Sequence, residues 1–336
     1  MSIARGCGRF VLAWTAVLAL VLIGGIEGAR AQTKLTFSHH VPTNHILHEA
    51  AERFAKRVSE LTQGQVTVEV RPASQLFNLR TSAEALQLGT LDFAWTDLGS
   101  LANWQPYLGF TSVPFLFNDF DHAFKVLYGP IGEQVRKEVL EKLGIDILSL
   151  GASGFRIFVL KKPVHMADDL KGMKLRVPEI PVYVDMARAL GTNPTPIPAG
   201  EIYTALQTGV VDGMEGPPDF VETGKLFEVG GYATRTYHIM TEVSLMASAK
   251  RLGALPPAHQ KAVRDAAVEV VQGWYKQENL KAQESSMQIL RGKLKMDEKP
   301  DIASFRAKMG PVIDSFVAKV GPKGREYVDA VLAAGK

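Results

Sequence analysis

The sequence has almost no cysteine, since Cys7 is the only one in 336 residues. A single cysteine excludes an internal disulfide, and Cys7 lies in the N-terminal stretch that we expect to be removed. The remaining chain then has no thiol for nucleophilic catalysis and no thiolate for a metal site. A chain of this length can fold on a hydrophobic core alone.

The sequence also has little excess of either charge. It contains 38 Lys and Arg against 35 Asp and Glu, a formal net charge of +3. Binding to nucleic acid needs a concentrated basic surface, so this balance argues against a nucleic-acid partner. A locally positive pocket is still compatible with it.

Long apolar runs are missing except near the N-terminus. Arg5 and Arg9 precede an apolar run over 10–23, and the small-residue pattern Ala29-Arg30-Ala31 follows. This order is typical of a secretory signal peptide, and the run is too short for a membrane span. We predict a signal peptide over 1–31, cleavage before Gln32 and a soluble periplasmic protein. Cys7 precedes the apolar run, so it is not the lipidated cysteine of a lipoprotein signal.

The rest of the chain alternates short apolar strands with amphipathic helices, which is typical of an α/β fold. In the first part the pattern predicts strands at 35–38, 66–70 and 91–95 and helices at 45–62 and 81–88, with Asn44 as an N-cap. In the second part it predicts strands at 156–160, 174–177 and 194–197 and helices at 182–190 and 257–291.

A helix as long as 257–291 is suited to crossing from one lobe to another. We predict one lobe from 32–153 plus 242–281 and a second from 154–241 plus 282–336. Clefts between lobes are where small ligands usually bind.

The strongest local signal for chemistry is the run Leu170-Lys171-Gly172-Met173-Lys174-Leu175-Arg176-Val177-Pro178, a turn leading into a short strand. Arginine grips a carboxylate through two parallel hydrogen bonds and stays charged at any relevant pH. The ordinary alternative for Arg176 is a surface arginine paired with a nearby acid.

This run and a second one resemble the DctP-type solute-binding proteins of tripartite ATP-independent periplasmic (TRAP) transporters. The second run is Tyr203-Thr204-Ala205-Leu206-Gln207-Thr208-Gly209-Val210-Val211-Asp212-Gly213. Shorter matches occur at Ser74-Gln75-Leu76, Leu91-Asp92-Phe93 and Gly154-Phe155-Arg156, so the resemblance covers essentially the whole chain after the leader.

The resemblance implies a two-lobed α/β fold like that of type II periplasmic binding proteins, with a hinged cleft and a long helix crossing both lobes. It implies a non-enzymatic protein without a cofactor, a monomer that hands an organic acid to a small and a large membrane subunit. By position, Arg176 matches the family's principal carboxylate-binding arginine and Arg156 a second cleft arginine. His40 lies where relatives contact ligand.

The sequence departs from the sialic-acid binders of the family at two positions. Gly216 replaces an asparagine that contacts ligand, and Asp97 replaces a glutamate after the third strand. These differences disfavour sialic acid.

Five further residues are candidates for ligand contact or for support of the site. Asp97 is expected to accept hydrogen bonds from ligand hydroxyls, and Glu215 to meet a hydroxyl or to brace Arg176. Trp95 is either a core residue or an aromatic wall of the cleft. Gln75 and Asn78 are weaker candidates from the first lobe. His39 and His40 face opposite sides of an extended chain, so we expect no metal site there.

The residues leave several functions and ligands open. An exported hydrolase has no nucleophile-elbow motif to support it, whereas a sensor that reports to a membrane receptor shares every feature of the site. For the ligand, a sugar acid such as an aldonate or uronate is the first choice. A keto or aromatic acid and a C4-dicarboxylate are the alternatives.

Overall fold

The computed structural model describes residues 32–336, whose strands form two mixed sheets. The first sheet contains β1 (Thr33–Ser38), β2 (Val66–Arg71), β3 (Phe93–Thr96), β4 (Ile145–Phe155) and β10 (Met240–Ser248). Their order is β2-β1-β3-β10-β4, with β1 parallel to β3 and β10 antiparallel to both of its neighbours.

The second sheet has six strands in the order β11-β9-β5-β8-β6-β7. They are β5 (Ile157–Leu160), β6 (Lys174–Val177), β7 (Asn193–Pro196), β8 (Gly213–Gly216), β9 (Tyr232–Thr234) and β11 (Lys295–Asp297). We call the parts of the molecule built around the two sheets the first and the second lobe.

Helices cover the faces of both sheets. They are α1 (Ile46–Leu61), α2 (Leu79–Leu88), α3 (Leu98–Leu101), α4 (Phe120–Leu127), α5 (Pro130–Leu143), α6 (Pro181–Ala189), α7 (Ile202–Gln207), α8 (Pro218–Thr223), α9 (Ala249–Gly253), α10 (Pro257–Val268), α11 (Lys276–Arg291), α12 (Ile302–Ala307), α13 (Gly310–Val320) and α14 (Pro322–Ala334). Short 3-10 helices lie at Pro106–Ser112, Ala167–Leu170, Ala199–Glu201 and Leu226–Glu228.

Helix α1 forms where the apolar spacing predicts it. Its buried face carries Leu47, Phe54 and Val58, which pack into the core beside β1 and β3. The cap differs from the prediction, because His45 and not Asn44 occupies the N-cap position. The His45 Nδ1 accepts the Leu47 N–H at 3.1 Å, which satisfies one of the free donors of the first turn.

The predicted long helix over 257–291 is confirmed, with a π-helical segment at Glu269–Tyr275 between α10 and α11. Helix α10 packs against α1 beside the first sheet, while α11 packs against α8, which follows a strand of the second sheet. The helix therefore contacts both lobes, as expected.

The lobes are interleaved along the chain. It enters the second sheet between β4 and β5 and returns through β10, and Lys34–Lys336 together form one compact unit. One part of the predicted division needs correction, because α14 was expected in the second lobe. It packs instead against Pro106–Ser112 and α4, which belong to the first. The other boundaries stay predictions.

The predicted signal peptide lies outside the described residues. Among the helices within 32–336, none combines the length and apolar character that a bilayer span requires.

Candidate functional site

A cavity of about 970 Å³, part of it open to solvent, is lined by residues of both lobes. Two of its arginines belong to the second lobe, Arg176 on β6 and Arg156 between β4 and β5. The first lobe contributes Asp97 and Glu242 from the ends of β3 and β10. Strand ends and the adjoining loops thus place charged groups of both lobes around the same cavity.

Arg176 is buried without an acidic partner. It is 4% exposed, and its Nε donates a hydrogen bond to the Ile197 carbonyl at 2.8 Å. Within residues 32–336 no carboxylate lies at ion-pair distance from its guanidinium group. Burial lowers the pKa of Arg176 to about 10, so the side chain is still positive at neutral pH. A buried unpaired cation is costly, and an anion in the cavity would compensate it.

Arg156 is buried as well, but its charge is already paired. Its guanidinium binds both carboxylate oxygens of Glu215, and its Nη2 donates to the Glu215 carbonyl at 2.8 Å. Its Nη1 donates to the Thr241 hydroxyl at 3.0 Å, and the group lies 5.0 Å from the Tyr183 ring centroid. Arg156 therefore lines the cavity as one half of an ion pair.

Glu215 departs from its predicted role. It is fully buried and does not line the cavity, so it cannot meet a ligand hydroxyl there. It pairs with Arg156 and not with Arg176. Arg176 lies opposite Met214, whose side chain faces the other side of the sheet from that of Glu215. Burial raises the pKa of Glu215, but the charge of Arg156 together with the hydrogen bonds from His238 and Arg156 outweighs burial and holds the pKa at about 2.

Asp97 lines the cavity from the N-terminus of α3, where its Oδ1 accepts the Ser100 N–H at 2.6 Å. Burial raises the pKa of Asp97, and the hydrogen bonds with Ser100 oppose that rise only in part. An ionised carboxylate has more acceptor positions than this bond uses, so Asp97 can accept further hydrogen bonds in the cavity.

Glu242 is a cavity residue that the sequence analysis missed. It is 4% exposed, and it accepts the Leu98 N–H at 2.7 Å and a hydrogen bond from the Ser244 hydroxyl. Burial and the charge of Asp97 raise the pKa of Glu242 to about 8. The sequence does contain a signal for it, because a glutamate next to Val243 in a strand that is otherwise mostly apolar indicates a buried polar role.

His40 lines the cavity with a neutral ring. Burial, followed by the charges of His45 and Arg176, lowers the pKa of His40 to about 3. Its Nδ1 is buried without a hydrogen-bond partner. His39 faces away, with its Nε2 3.1 Å from the His48 Nδ1, so the two histidines diverge as predicted. Among residues 32–336, no three His, Cys, Asp or Glu side chains form a group that could hold a metal ion.

Three predicted site residues do not line the cavity. Trp95 is fully buried on the other face of β3, where its Nε1 donates to the Leu47 carbonyl at 2.9 Å, so it is a core residue. Gln75 is exposed in the turn after β2. Gly216 ends β8, and a Cβ there would meet Met214 Cε (3.1 Å) and the Phe220 ring (3.3 Å).

Other lining residues come from positions with weak sequence signals. Asn78 caps α2 through a reciprocal pair with Thr81, and Tyr183 lies on the buried face of α6. Their sequence patterns indicate a cap and a core position, and only the assembled lobes bring them to the cavity.

Comparisons with known proteins agree with this architecture. The family model described as bacterial extracellular solute-binding protein, family 7 (DctP) matches residues 37–320. A solute-binding protein of Roseobacter denitrificans is 33% identical over 252 residues, 75% of this chain and 77% of that protein. Its crystal structure with bound L-galactonate has a TM-score of 0.83 at 30% identity and covers 89% of this chain and 98% of that chain.

Two further solved TRAP periplasmic solute-binding proteins hold different acids. One from Sulfitobacter sp. NAS-14.1 with bound β-D-galacturonate has a TM-score of 0.85 at 28% identity, covering 90% of this chain and 100% of that chain. One from Desulfovibrio salexigens with bound orotic acid has a TM-score of 0.84 at 27% identity and covers 90% of this chain and 99% of that chain. Each of the three ligands is a carboxylic acid.

Proposed function

Because this chain belongs to the bacterial extracellular solute-binding proteins of family 7, the DctP family, we propose that it captures a small organic acid in the cavity between its lobes. It delivers that acid to the membrane subunits of a TRAP transporter. Capture takes place in the periplasm, which the protein reaches by export, and its N-terminal signal peptide is then removed. The site binds its ligand without chemical change.

The observation that carries the proposal is the unpaired charge of Arg176. Its guanidinium has one hydrogen bond, to a backbone carbonyl, and no carboxylate at ion-pair distance within the described residues. A ligand carboxylate supplies the missing negative charge, and charge-assisted bonds to a guanidinium are among the strongest available to a small ligand. The Arg156–Glu215 pair beside it shapes the wall and leaves Arg176 as the free cation.

A sugar acid is the ligand class that the remaining lining groups favour. Asp97, Asn78 and Thr241 offer acceptors and donors suited to hydroxyl groups. Two of the similar structures hold a galactonate and a galacturonate. An aromatic acid is the second candidate, because the Tyr183 and Phe220 rings also line the cavity and one similar structure holds orotic acid.

The test is ligand binding by purified protein, freed of co-purified ligand by unfolding and refolding. A thermal-shift panel covers sugar acids, aromatic acids, keto acids and the neutral sugar galactose. A ligand at about a hundred times its Kd stabilises the folded state by roughly 2.7 kcal/mol. The wild type should respond to acids and not to galactose, and Arg176→Ala should lower affinity for the best acid at least ~30-fold.

Arg188→Ala is the matched control, because Arg188 is an exposed arginine of α6 outside the cavity. It should bind like the wild type. The ligand-free Tm of Arg176→Ala should stay within a few degrees of wild type, since the change removes an unpaired buried charge. Affinity within threefold of wild type in Arg176→Ala would contradict the assignment of this arginine, and a response to galactose equal to that to acids would contradict acid binding.

A further inference from the structure

Two carboxyl groups of the first lobe lie side by side in the cavity. Ser244 of β10 pairs with Thr96 of β3, so the chain beyond this pair brings Glu242 next to the start of α3, where Asp97 is the N-cap. The hydrogen bond from the Leu98 N–H to the Glu242 Oε2, at 2.7 Å, fixes this proximity.

Neither carboxyl has a cation at ion-pair distance among residues 32–336. The hydrogen bonds of Asp97 and Glu242 come from neutral donors, namely the backbone N–H groups of Leu98 and Ser100 and the Ser244 hydroxyl. Adjacent buried acids disfavour each other's ionised forms. The cavity therefore has one wall with an unpaired cation and another with two acids that form no ion pair with the described residues.

Among the described residues that line the cavity, no other arginine is free to bind a second ligand carboxylate. Arg156 is held by Glu215, and Arg80 at the rim lies 3.8 Å from Glu179. Both of these arginines already face an acid. Arg176 is thus the single unpaired guanidinium that the described lining offers.

We propose that Asp97 and Glu242 make the site selective for monocarboxylates with a hydroxylated far end, and that they exclude acids carrying a second carboxylate there. This inference rests on the proposed function and sets the specificity of the same cavity. A hydroxyl both donates and accepts, so it can bond to a carboxyl pair that shares a proton. A second carboxylate would bring another negative charge beside the ionised member of this pair, in a buried site without a counter-ion.

The protonation states of Asp97 and Glu242 support the proposed selectivity. The raised pKa of Glu242, about 8, keeps its carboxyl neutral at pH 7, so the group can donate a hydrogen bond to a ligand oxygen. Asp97 faces the positive potential of Arg156 and is the better acceptor of the two. Site groups arranged for a hydroxyl reject an analogue that cannot use them more strongly than an apolar pocket does.

The experiment compares ligand pairs that differ only in the last carbon, a CH₂OH in one and a carboxylate in the other. The pairs are erythronate with meso-tartrate, gluconate with glucarate, and galactonate with galactarate, each titrated calorimetrically. For the pair that binds best, the monoacid should bind the wild type at least ~30-fold more tightly. Glu242→Gln should reduce the ratio of diacid Kd to monoacid Kd by ~5-fold or more. The double variant Asp97→Asn/Glu242→Gln should reduce this ratio further.

Glu141→Gln is the matched control, because the same substitution is made at an exposed acid of α5 that lies outside the cavity. Its ratio should equal that of the wild type. A diacid that binds the wild type as tightly as its monoacid, or cavity variants with an unchanged ratio, would overturn the inference alone. Failure of every acid in the panel to bind would overturn the proposed function together with it.

Discussion

At the scale of single residues, the two arginines have different roles even though both are buried in one wall. Arg176 is free for a ligand, whereas Arg156 neutralises Glu215, a carboxylate with no exposure to solvent. His238 also lies near this acid, with its Nε2 3.4 Å from the Glu215 Oε2. Removing Arg156 therefore damages the fold before it affects the ligand.

Replacement of Arg156 by methionine should lower the free energy of unfolding by about 3–5 kcal/mol, because an unpaired buried carboxylate is left behind. The double variant Arg156→Met/Glu215→Gln should recover more than half of that loss. Urea unfolding of the wild type, both single variants and the double variant measures the coupling. Equal loss in the single and the double variant would show that the pair contributes no mutual stabilisation.

Arg176, Arg156, Asp97 and His40, which the family resemblance brought forward, all line one cavity, and their roles toward a ligand stay predictions. Those four lie at strand ends or in adjoining loops, where residues of an α/β fold can reach a cleft. The sequence does not decide between the core and the cleft wall for Trp95, because period-two alternation does not reveal which face of a strand is the cavity side. Glu242 was missed because its strand pairs with residues far away in the sequence.

At the scale of elements, the start of α1 and the start of α8 meet across the lobes. The His45 Nδ1 accepts the Leu47 N–H, so the proton of a neutral ring is on Nε2, which lies 3.1 Å from the Asp219 Oδ2. Both side chains are buried. The Asn44 amide donates to the Thr223 carbonyl at 3.4 Å beside them. These contacts hold the lobes together at one edge of the cavity.

Asp219→Ala should weaken ligand binding by roughly 5- to 30-fold, although Asp219 does not line the cavity. Contacts between lobes favour the ligand-holding conformation, so their loss should appear mainly as faster dissociation. Stopped-flow tryptophan fluorescence measures both rate constants. Glu222→Ala, a change on the same helix at a residue without an ion pair in the described chain, should leave dissociation unchanged. An altered association rate with wild-type dissociation would refute this role.

Sequence patterns predicted the locally determined elements well and the long-range ones poorly. Helix α1 and the helix over 257–291 have strong amphipathic spacing, and both are present within one or two residues of the expected bounds. The π-helical segment inside the long helix has no such signal. The 3-10 helix Pro106–Ser112 has no such signal either, since its aromatic residues follow no regular spacing.

At the scale of the whole molecule, stability should depend on pH through Glu242. An ordinary glutamate loses its proton near pH 4.5, whereas this one holds it to about pH 8. Between these values the folded state binds a proton that the unfolded state has released. The contribution of Glu242 to stability therefore falls as pH rises from about 4.5 to about 8.

Glu242→Gln should consequently stabilise the protein more at pH 9 than at pH 5, by about 2–5 kcal/mol. The substituted amide side chain can keep both hydrogen bonds, because its carbonyl accepts the Leu98 N–H and its NH₂ group donates to the Ser244 hydroxyl. Chemical unfolding at the two pH values measures the difference, and Glu141→Gln should show no such dependence. An equal change in the free energy of unfolding at pH 5 and pH 9 on Glu242→Gln would refute the raised pKa of Glu242.

The central position of β10 also governs the order in which the protein can fold. Ser244 pairs with Thr96 on one side and with Leu150 on the other, and the whole run from β5 to β9 lies between them in the chain. Closing so long a loop loses chain entropy before the contacts offset it, and folding should be slow for this reason. Until residues 240–248 arrive, β3 and β4 have open edges that other unfolded chains can pair with. A chain truncated before β10 should therefore aggregate instead of forming half a binding site.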